Sequence, residues 1–296
     1  MLLYHLLAVL TIAVWGTTFV STKCLLAEGL SPSGIFLCRF LLAYLCLAVL
    51  TLARKERRWL CDNFKDESLM MLSGITGGSL YFLAENTALQ MALAGTVSLV
   101  VCLAPLLTAI FSCLIGKGER LSPAFLGGSL VAFAGVAFVT WGSAAHATLS
   151  ATSWIGILLA LLAAALWAVY QLVVKRLTCR YGVWMLTRKV FGYGILTILP
   201  FVIARPTFAQ TDFSLPVVWG NLLFLGLIAS FVCYAAWNKV IEHLGAVASA
   251  NYIYLNPLVT CIASYWILHE HFTPMMTAGG IAIIAGLYLA MRARNR

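Results

Sequence analysis

Long apolar runs separated by short polar breaks occupy nearly all of the 296-residue chain. A helix that crosses a hydrocarbon core about 30 Å thick needs about 20 mostly apolar residues, at a rise of about 1.5 Å each. The runs therefore predict ten spanning helices, near residues 2–27, 33–52, 68–91, 95–115, 122–141, 153–175, 184–204, 216–238, 246–268 and 274–291. Proline suits the first turn of a helix, where its missing N–H has no partner to lose. Ser31-Pro32, Ser122-Pro123, Leu215-Pro216 and Thr273-Pro274 mark four such starts. A membrane β-barrel would instead show alternating segments of about ten residues. The pattern predicts an all-α integral membrane protein whose successive helices run antiparallel.

Composition agrees: 62% of residues are apolar, 10% are charged, and mean hydropathy is +0.96. That excludes disordered and collagen-like chains, and a soluble protein this apolar would aggregate. The nine cysteines form no CxxC pair or zinc spacing, and inside apolar runs they act as small hydrophobes. A net charge of +9 could suggest nucleic acid, but its distribution does not. Arg54, Lys55, Arg57, Arg58, Lys65, Lys117, Arg120, Lys175, Arg176, Arg180 and Lys239 fall in one set of loops. Arg292, Arg294 and Arg296 extend that set, whereas Arg205 stands alone in the opposite loops. This bias places both termini in the cytoplasm. The basic run at 54–58 reads as a topology determinant, or as a patch for lipid headgroups. The first run lacks a basic leader and is longer than a signal-peptide core, so it counts as a span.

The two halves of the chain match each other. At an offset of 152, Trp15 falls on Trp167, Lys23 on Lys175, Gly74 on Gly226, Asn86 on Asn238 and Pro105 on Pro257. The offset then slips by one, bringing Glu119–Ser122 onto Glu270–Thr273, Gly128 onto Gly279 and Gly135 onto Gly286. The repeats span 1–145 and 150–296. Five spans is an odd number, so the second repeat enters the membrane inverted. Inverted repeats of this kind underlie alternating access in transporters.

These motifs give the chain a family resemblance. Trp15-Gly16, Arg39–Ala43, the two stretches Pro105–Ala109 and Asn256–Thr260, and the segments 118–122 and 269–273 recur in this order. By them the sequence resembles a ten-helix member of the drug/metabolite transporter superfamily, of the type with two EamA-like repeats. The resemblance covers the whole chain. It implies transport of small metabolites, commonly export across a bacterial inner membrane, and it leaves the substrate open.

Several residues are candidates for that work. Pro105 and Pro257 each free a backbone carbonyl near midspan, as hinges at a binding site or as packing kinks. Trp15 and Trp167 lie about 20 Å into their helices, far from the interfacial belt that Trp favours. Thr18, Tyr170 and Gln171 stand one turn from them, and Tyr81, Asn251, Tyr254 and Asn256 supply further polar groups in spans. These are the expected substrate-binding residues, with core packing as the other reading of the two tryptophans. Lys23, Arg39 and Glu85 fall at one outer level, so Glu85 is expected to bond Arg39 or Lys23. That acid, which maps onto Trp237, could staple or gate the outer side, couple transport to protons, or contact a substrate amine. Arg188 and Lys189 are expected to snorkel to cytoplasmic water. The glycines Gly74, Gly78, Gly127, Gly128, Gly279, Gly280 and Gly286 are expected where helices approach closely.

No HExxH, GxSxG or P-loop motif appears, so the chain is not expected to be an enzyme and no catalytic residue is assigned. His269 and His271 lack further ligands nearby, so neither a metal nor a cofactor is expected. The expected partners are a small-molecule substrate and the lipid bilayer, without nucleic acid. The leading reading is an alternating-access exporter of small metabolites such as amino acids or their derivatives. Efflux of drugs or hydrophobic cations, and flipping of lipid-linked cargo, are the alternatives.

Overall fold

The computed structural model describes all residues except 55–58, 93, 116–122, 145–150, 205–206, 209–210, 269–273 and 295–296. Fourteen α-helices among the described residues build ten spans, and these residues form no strand. Six spans are single helices: α1 (Leu2–Ala27), α2 (Pro32–Ala53), α7 (Pro123–Ala144), α8 (Ala151–Tyr181), α9 (Val183–Ile203) and α14 (Pro274–Arg294). The other four are interrupted. The third joins α3 (Phe64–Gly74) to α4 (Leu80–Met91) through a π segment, Ile75–Ser79. Its repeat mate, the eighth, joins α10 (Pro216–Leu223) to α11 (Cys233–Leu244) through Phe224–Val232, also π-helical. The fourth breaks between α5 (Ala94–Val101) and α6 (Ala104–Leu114). The ninth breaks at a 3-10 turn, Tyr252–Leu255, between α12 (Ala246–Asn251) and α13 (Asn256–Leu268). The interruptions thus come in symmetry-related pairs, one per inverted five-helix repeat.

Local chemistry sets the ends. Ser31 caps α2 by accepting the Gly34 N–H at 3.1 Å, with Pro32 in its first turn. Asn63 caps α3 by accepting the Asp66 N–H at 2.8 Å, and Asp66 and Glu67 add negative charge where the helix dipole is positive. Gly182 and Gly245 have φ of 75° and 88°, conformations that L side chains resist, and they let α8 turn into α9 and α11 into α12. Among the described residues, five helical stretches are long and apolar enough to cross a membrane by length and composition. Leu45, Val49, Leu158, Leu196 and Ile281 are exposed on their outer faces, as lipid contact requires. Helices α7 and α14 press together at glycine: a Cβ on Gly128 would lie 2.4 Å from the Ala290 nitrogen, and one on Gly286 2.3 Å from that of Ala132. Gly127, expected at a close approach, faces open space instead, because only every third or fourth position of α7 meets α14.

Candidate functional site

The two broken spans meet. Pro257 lacks the N–H that would bond the Ile253 carbonyl one turn earlier. That carbonyl accepts the Asn256 N–H within the 3-10 turn, and the Cys102 thiol donates to it at 3.4 Å. Cys102 itself lies at the break between α5 and α6, just before Pro105. Each proline therefore occupies the first turn of a half-helix.

The π segments supply the next layer. The extra residue in a π turn leaves carbonyls without helical partners, a geometry common at functional sites. Trp15 Nε1 donates to the Ala229 carbonyl at 2.9 Å, and the Tyr234 hydroxyl donates to the Gly77 carbonyl at 2.5 Å. Arg39 Nε donates to Ser230 Oγ at 2.9 Å, while its guanidinium carbon sits 4.4 Å from the centre of the Phe82 ring. Trp15 packs edge-on against Trp167 and Tyr234, with ring centres 5.4 and 5.6 Å away. Tyr81 lies 5.0 Å from Trp167.

Together these groups line a narrow cavity. Its wall includes Trp15, Thr18, Tyr81, Trp167, Asn256, Glu85 and Arg39, all foreseen from sequence. Phe19, Phe82, Val101, Tyr234 and Ile253 complete it and were not. A signal for Tyr234 existed: it is the repeat mate of Phe82, beside the nominated Tyr81. Besides the two prolines, five nominated residues stand outside the wall. Lys23 is half-buried near the end of α1. Tyr170 is buried behind Trp167 and donates its hydroxyl to Asn238 Oδ1 at 2.6 Å. Gln171 points toward Thr108, 3.4 Å away, and Asn251 and Tyr254 are buried in the core. On α1 the cavity residues lie near mid-helix, and Arg39 lies in the first half of α2, the part nearer the end of α1.

Glu85 is 7% exposed, and its Oε1 accepts the Tyr81 hydroxyl at 2.7 Å. No ion pair within 4 Å joins it to Arg39 among the described residues, so of the two partners expected for Glu85, Arg39 shares the cavity without a direct bond. The cause is competition: Ser230 and the Phe82 face hold the guanidinium, and a tyrosine one turn earlier on the same helix reaches the carboxylate first.

The end of the bundle where α3 begins carries a network of ion pairs. Arg180 Nη1 lies 2.6 Å from Asp66 Oδ2, which also accepts the Tyr181 hydroxyl at 2.7 Å. Lys189 and Tyr193 both donate to Glu67 Oε1, and the Cys61 N–H donates to Oε2 at 2.9 Å. Burial alone would raise the Glu67 carboxyl, but these donors outweigh it and hold its pKa at about 2. The Tyr181 hydroxyl, with Asn63 and the charges of Arg180 and Arg176, likewise lowers that of Asp66. Arg188 and Lys189 are 2% and 9% exposed and line an open pocket with Trp59 and Tyr193, Arg188 stacked 4.2 Å over Trp59 and Lys189 held by Glu67. The polar start of α3, taken for loop, covers Lys189. Lys175 Nζ donates to the Glu242 carbonyl near the C-terminus of α11, at 2.6 Å.

Among the described residues no group of three or more His, Cys, Asp or Glu is placed to hold a metal. His269 and His271, and the matched segments 118–122 and 269–273, lie outside the described residues.

The model of the EamA-like transporter family matches the chain twice, over residues 2–141 and 154–292. An uncharacterized transporter of Archaeoglobus fulgidus is 29% identical over 286 residues, which cover 96% of each chain. A probable terminal-alkyne amino-acid exporter of Streptantibioticus cattleyicolor is 28% identical, over 96% of this chain and 92% of its own. A crystal structure with 20% identity superposes over 99% of both chains with a TM-score of 0.78, a likeness of fold.

Proposed function

Because the chain belongs to the EamA-like transporter family, we propose that it is an alternating-access exporter of amino acids or closely related zwitterions. It is a membrane transporter, not an enzyme. In our reading it sits in a bacterial inner membrane with both termini cytoplasmic, so the cavity lies from mid-membrane outward and the Asp66–Glu67 network at the inner end. The observation that carries the reading is one carboxylate, Glu85, and one guanidinium, Arg39, held apart in a single aromatic cavity where the two broken helices touch. A zwitterion presents an ammonium and a carboxylate to match them, and aromatic walls suit its side chain. The printed name of the Streptantibioticus relative supports an amino-acid cargo.

Glu85 is the proposed coupling or gating group, because Tyr81 is its hydrogen-bonding partner and it faces the cavity. Its aromatic surroundings also suit a hydrophobic cation, the second reading, but Arg39 in the same cavity opposes it. Pro105 and Pro257 act as the hinges on this account. Uptake of pooled amino acids, amines and lipid-linked sugars into proteoliposomes, with and without an imposed pH gradient, tests the proposal. Accumulation of amino acids supports it. Transport of amines alone turns the reading to cation efflux, and transport of none of the soluble compounds overturns it.

A further inference from the structure

The repeat makes a prediction that the structure breaks at one bond. The offset of 152 that pairs Trp15 with Trp167 also pairs Gly77 with Ala229 and Phe82 with Tyr234. Trp15 Nε1 donates across the repeats to the Ala229 carbonyl, so symmetry calls for Trp167 Nε1 on the Gly77 carbonyl. That carbonyl accepts the Tyr234 hydroxyl instead, a group the first repeat lacks because Phe82 stands there. The Tyr170 ring fills the space beside Gly77, where a Cβ would lie 2.1 Å from it. Trp167 is 4% exposed and lines the cavity, and its indole N–H has no acceptor among the described residues. Buried donors are almost always satisfied, so an orphan on a cavity wall marks a place for a ligand. Asn256 Oδ1 on the same wall has no donor either.

We infer that the Trp167 indole N–H reads a carboxylate oxygen of the cargo, while Trp15, its repeat mate, only anchors the wall. The inference rests on the transport reading above and adds the residue that selects for an acid. Arg39 in the same cavity supplies the positive potential a carboxylate requires. The tyrosine at position 234 keeps the N–H available, because its hydroxyl takes the lone pair of the Gly77 carbonyl that symmetry would give to Trp167.

The test compares binding of labelled L-phenylalanine with binding of phenethylamine, which lacks the carboxylate, to the full chain in nanodiscs. Trp167→Phe should weaken L-phenylalanine by about ten- to a hundredfold, the usual value of a hydrogen bond to a charged group, and phenethylamine less than about threefold. Tyr234→Phe keeps its ring but releases the Gly77 carbonyl to Trp167. It should also weaken L-phenylalanine, with no further loss when Trp167→Phe is added. Trp15→Phe should lower the melting temperature and affect both probes alike. Equal loss of both probes in Trp167→Phe, no loss of either, or additive losses in the double variant overturns the assignment. Failure of the unmodified protein to bind L-phenylalanine overturns the assignment, whereas the amino-acid reading falls only if the pooled uptake fails as well.

Discussion

Glu67 stands in the polar turn that leads into the third span and Glu85 lies within that span, yet their surroundings have little in common. Glu67, at the start of α3, takes a lysine, a tyrosine and a backbone N–H. Glu85, in α4, takes one hydroxyl and faces a cavity, with Arg39 on the same wall beyond ion-pair distance. The first carboxylate is saturated, so its energy goes into holding α3 against α9. The second retains lone pairs and neighbouring space, which a fixed staple does not need and a group that exchanges partners does. The difference separates an acid that builds the fold from one available for transport.

The contrast predicts opposite phenotypes, and the largest belongs to the saturated acid. Glu67→Ala strands the Lys189 ammonium, so it should cost roughly 3 kcal/mol of stability, read as a lower melting temperature in detergent. Glu85→Gln keeps an acceptor for Tyr81, so stability should shift by less than about 1 kcal/mol. Its effect should fall on transport: accumulation driven by a pH gradient drops about tenfold, equivalent to about 1.4 kcal/mol, in the proteoliposome assay. Unchanged gradient dependence with normal accumulation would make Glu85 a bystander. Tyr193→Phe removes one of three donors to Glu67 and should cost about 1 kcal/mol, with no change in transport.

The two acids also differ in how well the sequence exposed them. Spans were legible because apolar runs of helical length leave few alternatives, and the breaks at 105 and 257 because proline cannot continue a hydrogen-bond ladder. Of the seven cavity residues nominated, the two tryptophans followed from depth and the repeat, and the others from helical spacing or from polar and charged groups inside spans. The π segments were not legible: Gly77-Gly78 permits one without requiring it, and the mate at Ala229-Ser230 carries no such sign. Without those segments the acceptors of Trp15 and Tyr234, and the seat of Arg39 on Ser230, could not be placed. The Lys189–Glu67 contact stayed hidden because residues 64–67 read as a polar loop, whereas capping by Asn63 draws them into helix. Tertiary partners decided both cases, and hydropathy does not encode them.

The smallest effect concerns acid. Glu67 has a folded pKa of about 2 against an ordinary 4.5, so between those values the unfolded chain binds more protons than the folded one. Stability from this group is therefore full above about pH 4.5 and drains away as pH falls toward 2. Asp66 is shifted in the same direction by the Tyr181 hydroxyl and adds to the same limb. Melting temperatures from pH 6 to pH 2 should fall more steeply for the unmodified protein than for Glu67→Gln, which has no proton to take up. Curves that stay parallel through that window would mean the network holds its charges as weakly as an exposed pair, and the division between the two acids would lose its electrostatic basis.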